Sequence, residues 1–279
     1  MTPNNPLKQY FRQPAIYLRL PSGGQFYPDG TLDMPPNGEI PVLPMTAVDE
    51  ITYRTPDALF NGSATISVIQ SCIPSIKNPW VIPAMDVDTI LVGIRVASYG
   101  HDMEIATQCP NCKQTADYNV DLRSVLDNIK KPDYTQQMHH GDLEIYFRPM
   151  TYKNLNDNNQ NQFDEQKMLS LLPDQDVPDT EKLNAITEAL KKITRTTVKA
   201  LSQSIAAVKT PSALVTDPVF IEELLNNCDR KIFNGIRDHI IKLKNMAEIQ
   251  PLKIQCPECS HEYTQQVTLD MVSFFAPAS

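Results

Sequence analysis

Two short stretches of the chain are built alike, "CPNC" at Cys109 to Cys112 and "CPEC" at Cys256 to Cys259, and together they hold four of its six cysteines. A Cys-Pro-x-Cys turn sets two sulfurs on one side of a tight bend and leaves the following backbone amides free to donate to thiolates. Two such turns brought together make a tetrahedral site of four sulfurs, the ligand set of structural zinc. A closed site of this kind keeps no open coordination position, so the ion holds the fold and activates no water. The candidate ligands are therefore Cys109, Cys112, Cys256 and Cys259. Zinc is the expected cofactor, with iron in the same ligands as the alternative; two separate redox pairs, or a site lost in this chain, are the remaining ones. A redox pair sits where a strand meets a helix N-terminus, which lowers a thiol pKa, whereas both pairs here are flanked by strand-like sequence. Closing the long loop between the turns costs only logarithmically in its length.

Other chemistry-bearing residues have plainer readings. His261 follows Cys259 closely enough to replace a sulfur, but four cysteines suffice and a solvated histidine explains it. His139 and His140, before Gly141, read as a polar turn, and His101 sits at a helix end where its charge suits the terminal carbonyls. "LPSGGQ" lacks the Lys-Ser or Lys-Thr of a phosphate-binding loop. Asp86 and Asp88 read as capping or solvated groups, not as paired catalytic carboxylates. Lys182, Lys191, Lys192, Arg195 and Lys199 make one basic face without interleaved aromatics, which suits a solvated or protein-docking surface. Cys72 and Cys228 fall on apolar helical faces and read as core.

The bulk numbers agree with a structural role for the cysteines. A chain of 279 residues with 41% apolar content has room for one substantial core and an appended unit. A net charge of −8 argues against a surface made to neutralise phosphates, so nucleic acid is not an expected partner. No apolar run reaches the roughly 20 residues that cross a bilayer, and the start lacks the order of a secretory signal, so no membrane is expected either. The expectation is a chain made in a reducing cytoplasm, where paired CxxC turns hold metal more often than they form disulfides.

The elements that must position the cysteines can be read in order. Residues 1–50 carry nine of the 23 prolines and read as an extended arm whose apolar residues, Tyr17, Leu18, Leu20, Phe26, Tyr27, Val42 and Leu43, lie along some surface, its own or a partner's. A first half of the core spans 51–150. In it Thr55 and Pro56 open a short helix, Gly62 interrupts, "SATISVIQSCIP" continues, and "MDVDTILVGIRVASYG" is a core helix capped near Asp86 and ended by Gly100. The period then changes to two on both sides of the first cysteine pair, the pattern of a hairpin turning at the cysteines. The layout repeats over 250–279, the second half of the core, with Tyr118 matched by Tyr263 and Leu122 by Leu269. "DLEIYFRPM" reads as one more strand.

Between the twins, 151–249 reads as an inserted helical hairpin. A weaker helix with Tyr152, Leu155, Phe163, Met168 and Leu172 precedes it. Leu183, Ile186, Leu190, Ile193, Thr197, Leu201, Ile205 and Val208 then give one helical seam of about 45 Å, stopped by Pro211. A second long helix opens at Pro218 with the stripe Ile221, Leu224, Leu225, Cys228, Ile232, Ile236, Ile240 and Leu243, and the two should pack antiparallel. The expected class is α+β: a small mixed core with a zinc-ribbon-like knuckle pair, an inserted antiparallel helical hairpin and an extended Pro-rich arm.

The order "LPSGGQFYPDG", "MTAVDEITYRTPDALFNGSATISVIQSCIP" and "DVDTILVGIRVASYGHDMEIATQCPNC" resembles the baseplate hub or hub-assembly proteins of contractile-tailed phages of the T-even type, over roughly 16–150 and the last thirty residues. The resemblance implies a non-enzymatic protein found in the virion tail baseplate, or in the host cytoplasm during assembly. It implies other tail baseplate or hub proteins as partners, the tape-measure protein among them, and carries over no catalytic residue. The competing class is a zinc-ribbon adaptor that recruits protein or nucleic acid.

Overall fold

The structure is a computed structural model, and it describes residues 5–54, 61–171 and 179–266. The short helix expected to open at Thr55 and Pro56, Leu172 of the weaker helix and Leu269 of the second twin lie outside them. The class is α+β, with eight α-helices and small antiparallel sheets among the described residues. The chain divides into two compact units, Met1–Pro79 with Asp86–Lys130 and Glu248–Ser279, and Trp80–Met85 with Lys131–Ala247.

In the first unit the Pro-rich arm docks on its own chain. Strand β1 (Ile16–Leu18) pairs antiparallel with β2 (Ile40–Val42), and Leu18, Leu20, Ile40 and Val42 are buried. They pack a core shared with α1 (Ala47–Tyr53), α2 (Ser63–Cys72) and α3 (Ala84–Tyr99), whose Ile69, Cys72, Ile90 and Ile94 are fully enclosed. Gly93 in the middle of α3 has a packing reason, since a Cβ there would come within 2.9 Å of Leu18 Cδ2. Two polar plugs fix the arm. The Arg12 guanidinium donates to the Ser71 carbonyl at 2.7 Å and reaches Asp49 at 3.3 Å, while Asp49 also accepts the Thr46 amide and so caps α1. Asp86, fully buried, accepts the Ser22 amide at 2.8 Å, the Ser22 hydroxyl at 2.6 Å and the Tyr27 hydroxyl at 3.0 Å. The capping or solvated role expected of Asp86 is thus corrected. The "LPSGGQFY" turn is wrapped around its carboxylate, which replaces the water that an isolated buried charge would need. Burial, and then the Asp86 charge, hold the Tyr27 hydroxyl far above its ordinary pKa, so it stays a donor.

Helix α3 ends at Gly100, in the left-handed region at φ 87°, and the chain enters the hairpin of β3 (Asp102–Gln108) and β4 (Thr115–Asp121). Asp121 then caps α4 (Leu122–Asn128).

The second unit departs most from the sequence reading. Strands β5 (Met138–His140), β6 (Leu143–Phe147), β7 (Ile205–Lys209) and β8 (Leu214–Val215) form a four-stranded antiparallel sheet in that order. His139 and His140 are therefore strand residues, opposite Glu144 and Leu143, and the turn falls at Gly141, φ 55°. Helix α5 (Tyr152–Leu171) packs along α6 (Asp179–Gln203), tied by Asn158 to Gln203 at 3.1 Å and by Lys192 to Glu165 at 3.3 Å.

The expected single seam to Val208 is corrected: α6 stops at Gln203, and Ile205 and Val208 enter β7. Those β-branched residues face an open partner in β6, and a ladder plus burial outweighs another helical turn. The second long helix is corrected too. It breaks into α7 (Pro218–Asn227) and α8 (Arg230–Ala247) at an extended Cys228, and the Asp229 carboxylate accepts the Lys231 and Ile232 amides as a fresh N-cap. Ile145, Phe147, Val198, Leu201, Ile205, Val208, Ile221 and Ile236 close one core over the sheet.

Candidate metal centre

Strand geometry delivers the two knuckles. The first turn joins β3 to β4, and the second joins β9 (Leu252–Gln255) to β10 (Glu262–Gln265), also antiparallel. The turns are near copies at the level of single hydrogen bonds. In the first, the Cys109 amide donates to the Gln114 carbonyl at 2.9 Å and the Lys113 amide to the Cys109 carbonyl at 3.0 Å; in the second, the Cys256 amide donates to the His261 carbonyl at 2.9 Å and the Ser260 amide to the Cys256 carbonyl at 2.9 Å. Lys113 and Ser260 both take left-handed backbone, φ 63° and 56°, which non-glycine residues adopt only where the surroundings impose it. Each turn also has a glutamine brace: the Gln108 side-chain amide donates to the Lys113 carbonyl at 3.0 Å, and that of Gln255 to the Ser260 carbonyl at 3.2 Å. The sequence reading missed this pair. The repeated Gln directly before each Cys-Pro was the signal available.

The hairpins meet through their tips and flanks. Thr107 donates its hydroxyl to Gln265 Oε1 at 2.7 Å, and the hydroxyls of Tyr263 and Tyr118, the matched pair of the two copies, are 3.4 Å apart. The four cysteine sulfurs consequently lie within 4.8 Å of one another. Cys109 Sγ is 3.7 Å from Cys259 Sγ, and Cys112 Sγ is 3.6 Å from Cys256 Sγ. Zinc–sulfur bonds of about 2.3 Å at tetrahedral angles put sulfurs about 3.8 Å apart, so the donor set and its spacing are compatible with such an ion.

The proton chemistry of the set points the same way. The His261 backbone amide, then the Asn111 side chain, hold the Cys259 thiol down at about 6. The Gln114 backbone pulls Cys112 down, but desolvation and the neighbouring thiols outweigh it and push it up to about 12. Four thiols this close cannot all ionise unless a cation takes the place of their protons. Cys109 and Cys256 are buried at 1% and 2% exposure, whereas Cys259 is exposed.

The other sequence candidates fall elsewhere. The His261 ring stacks near Tyr263 with centroids 6.3 Å apart and is no member of the sulfur cluster. His101 pairs with Asp102 at 3.5 Å. On the basic face, Lys191 is spent on Glu188 at 2.8 Å and Lys192 on Glu165, while Arg195 and Lys199 are exposed. Cys72 is a core thiol pushed up to about 12, chiefly by burial.

Comparison with known proteins adds the identity of the surrounding chain. No curated protein and no solved structure matches it. One family model, described as "T4 bacteriophage base plate protein", matches residues 19–276 and so runs from the docked arm through both knuckles. The chain belongs to the T4 bacteriophage base plate protein family.

Proposed function

We propose that this protein is a non-enzymatic component of the baseplate hub of a contractile phage tail, or a factor that assembles that hub, and that it acts through protein–protein contacts. The family match over nearly the whole chain carries the reading. The partners are other tail and baseplate proteins, and nothing in the chain singles out the tape-measure protein among them. No helix among the described residues is long and apolar enough to cross a membrane. Apolar side chains exposed among the described residues supply contact surface: Tyr10 and Phe11 on the arm, and Leu183, Ile186 and Leu190 on α6.

Within that role Cys109, Cys112, Cys256 and Cys259 hold a structural zinc ion. When bound, the ion supplies four strong bonds that replace a core the ribbon does not have. The chain's own part is to present the sulfurs: Gln108 and Gln255 brace the turns, and the Tyr118–Tyr263 and Thr107–Gln265 contacts hold the hairpins together. The adaptor reading has less support, because a nucleic-acid ribbon needs a basic face. Here the exposed face of β3 and β4 carries Asp102, Glu104 and Asp117.

Mass spectrometry of purified particles is the test. Its presence at fixed stoichiometry supports the component, and its absence supports the assembly factor. Baseplates that form at normal yield without the protein would end both. Metal analysis of freshly purified full-length chain tests the zinc separately.

A further inference from the structure

The two knuckles match in their backbone hydrogen bonds and in their glutamine braces, yet they differ at the third residue, Asn111 in one and Glu258 in the other. The Asn111 side-chain amide donates across the gap to Cys259 Sγ at 3.7 Å. Glu258 is exposed and, as a carboxylate, has no proton to give a thiolate. The sulfurs differ in step. Cys109 and Cys256 are enclosed, Cys112 is half-buried, and Cys259 is the most exposed of the four, with Asn111 as the one side-chain amide among the described residues donating to it. Water or a competing donor atom therefore reaches Cys259 first.

We propose that Cys259 is the ligand through which the metal ion enters and leaves, and that Asn111 is the latch that holds this sulfur in place. The inference rests on the zinc reading. In the exchange step the Cys259 sulfur leaves the ion, a donor atom of the competing chelator takes the vacated coordination position, and no electron is transferred. Asn111 slows that step in two ways. Its N–H stabilises the ligating thiolate in position, and it links the tip of one knuckle to the sulfur of the other, so that the exposed cysteine cannot swing out alone. Donors around ligands of this kind commonly change metal affinity 10- to 100-fold.

The test uses the full chain loaded with zinc and mixed with a chromogenic chelator. N111A should release zinc about tenfold faster than the unmodified chain. E258A, the same change in the other knuckle, should release it at the unmodified rate, and N111Q, which keeps an amide donor, should recover part of the loss. In parallel, the loaded protein is treated with iodoacetamide, whose carbon forms a bond to sulfur as iodide departs, and the modified cysteines are mapped. Among the four clustered cysteines Cys259 should be alkylated first, and sooner in N111A. Equal release from N111A and E258A in a chain that does hold zinc overturns the latch and leaves the zinc reading standing. First alkylation within the cluster at Cys109, Cys112 or Cys256 overturns the entry point. A full chain that retains no zinc after loading overturns the metal reading and the inference with it.

Discussion

The cysteine ribbon of the first unit and the four-stranded sheet of the second are made of similarly short antiparallel strands, but they solve different problems. In β3 and β4 only Thr107 and Val120 are buried, and the remaining side chains alternate between exposed and half-buried. Strands β9 and β10 bury none. Two-stranded hairpins of this sort are marginal in water by themselves. Strand β7, in contrast, buries Ile205, Ala207 and Val208, and its sheet is covered by α6, α7 and α8 residues such as Leu201, Ile221 and Ile236. The second sheet is held by area removed from water, while the ribbon has little such area and gathers sulfurs instead. The difference is between a region stabilised by many weak contacts and one that, on the proposed metal reading, depends on a single cluster.

The comparison breaks most sharply at the ribbon. Cys256→Ser removes one of the two buried members of the proposed ligand set, and structural zinc in small domains is held with an apparent 10–16 kcal/mol, so on the zinc reading the ribbon should lose both its metal and its fold. Amide exchange should rise over Asp102–Asp121 and Leu252–Gln265, while β6 and β7 keep their protection; loss of protection in both at once would contradict the division of labour. In the second unit, Ile205→Ala should cost about 2–5 kcal/mol in denaturant unfolding of that unit, with zinc content unchanged. A fall in zinc content would again show that the regions are not stabilised separately.

Smaller effects sharpen the account of the first unit. Asp86→Ala leaves Ser22 and Tyr27 without their acceptor and should cost about 3 kcal/mol, with trypsin gaining access to Arg19 on the released arm. An unchanged cleavage rate would mean that the arm is held by Leu18 and Leu20 alone. Cys72→Ser, by comparison, exchanges one small buried group for another beside Arg12 Nη1, and should cost about 1 kcal/mol and no metal. Effects of equal size from Cys72→Ser and Cys256→Ser would remove the reason for treating the four clustered cysteines as a set.

Much of this was legible in order along the chain because its causes are local. The helix ending at Gly100, the change of period at His101 and the duplicated Cys-Pro-x-Cys layout all depend on neighbours in sequence, and the structure keeps them. The errors share one cause as well. Leu201, Ile205 and Val208 continue a flawless three-and-four seam, but Ile205 and Val208 join a sheet whose partner strand, Leu143–Phe147, lies some sixty residues earlier. Cys228 sits in register with Leu225 and Ile232, yet Asp229 restarts the helix, and the Asn-Cys-Asp run carried that cap in plain view. Asp86 looked like a helix cap because nothing nearby announces that Ser22 and Tyr27 will close over it.

The sequence by itself determined which four sulfurs are available and that each pair lies on a tight turn between strands, since both follow from residue type and short-range spacing. Tertiary structure alone decided that the turns face one another closely enough to share an ion, that the arm lies down on its own core, and that Asn111 touches the sulfur of the opposite knuckle. Those outcomes depend on packing between segments far apart in the chain, where burial and long-range hydrogen bonds outweigh local preference and leave no periodic trace to read.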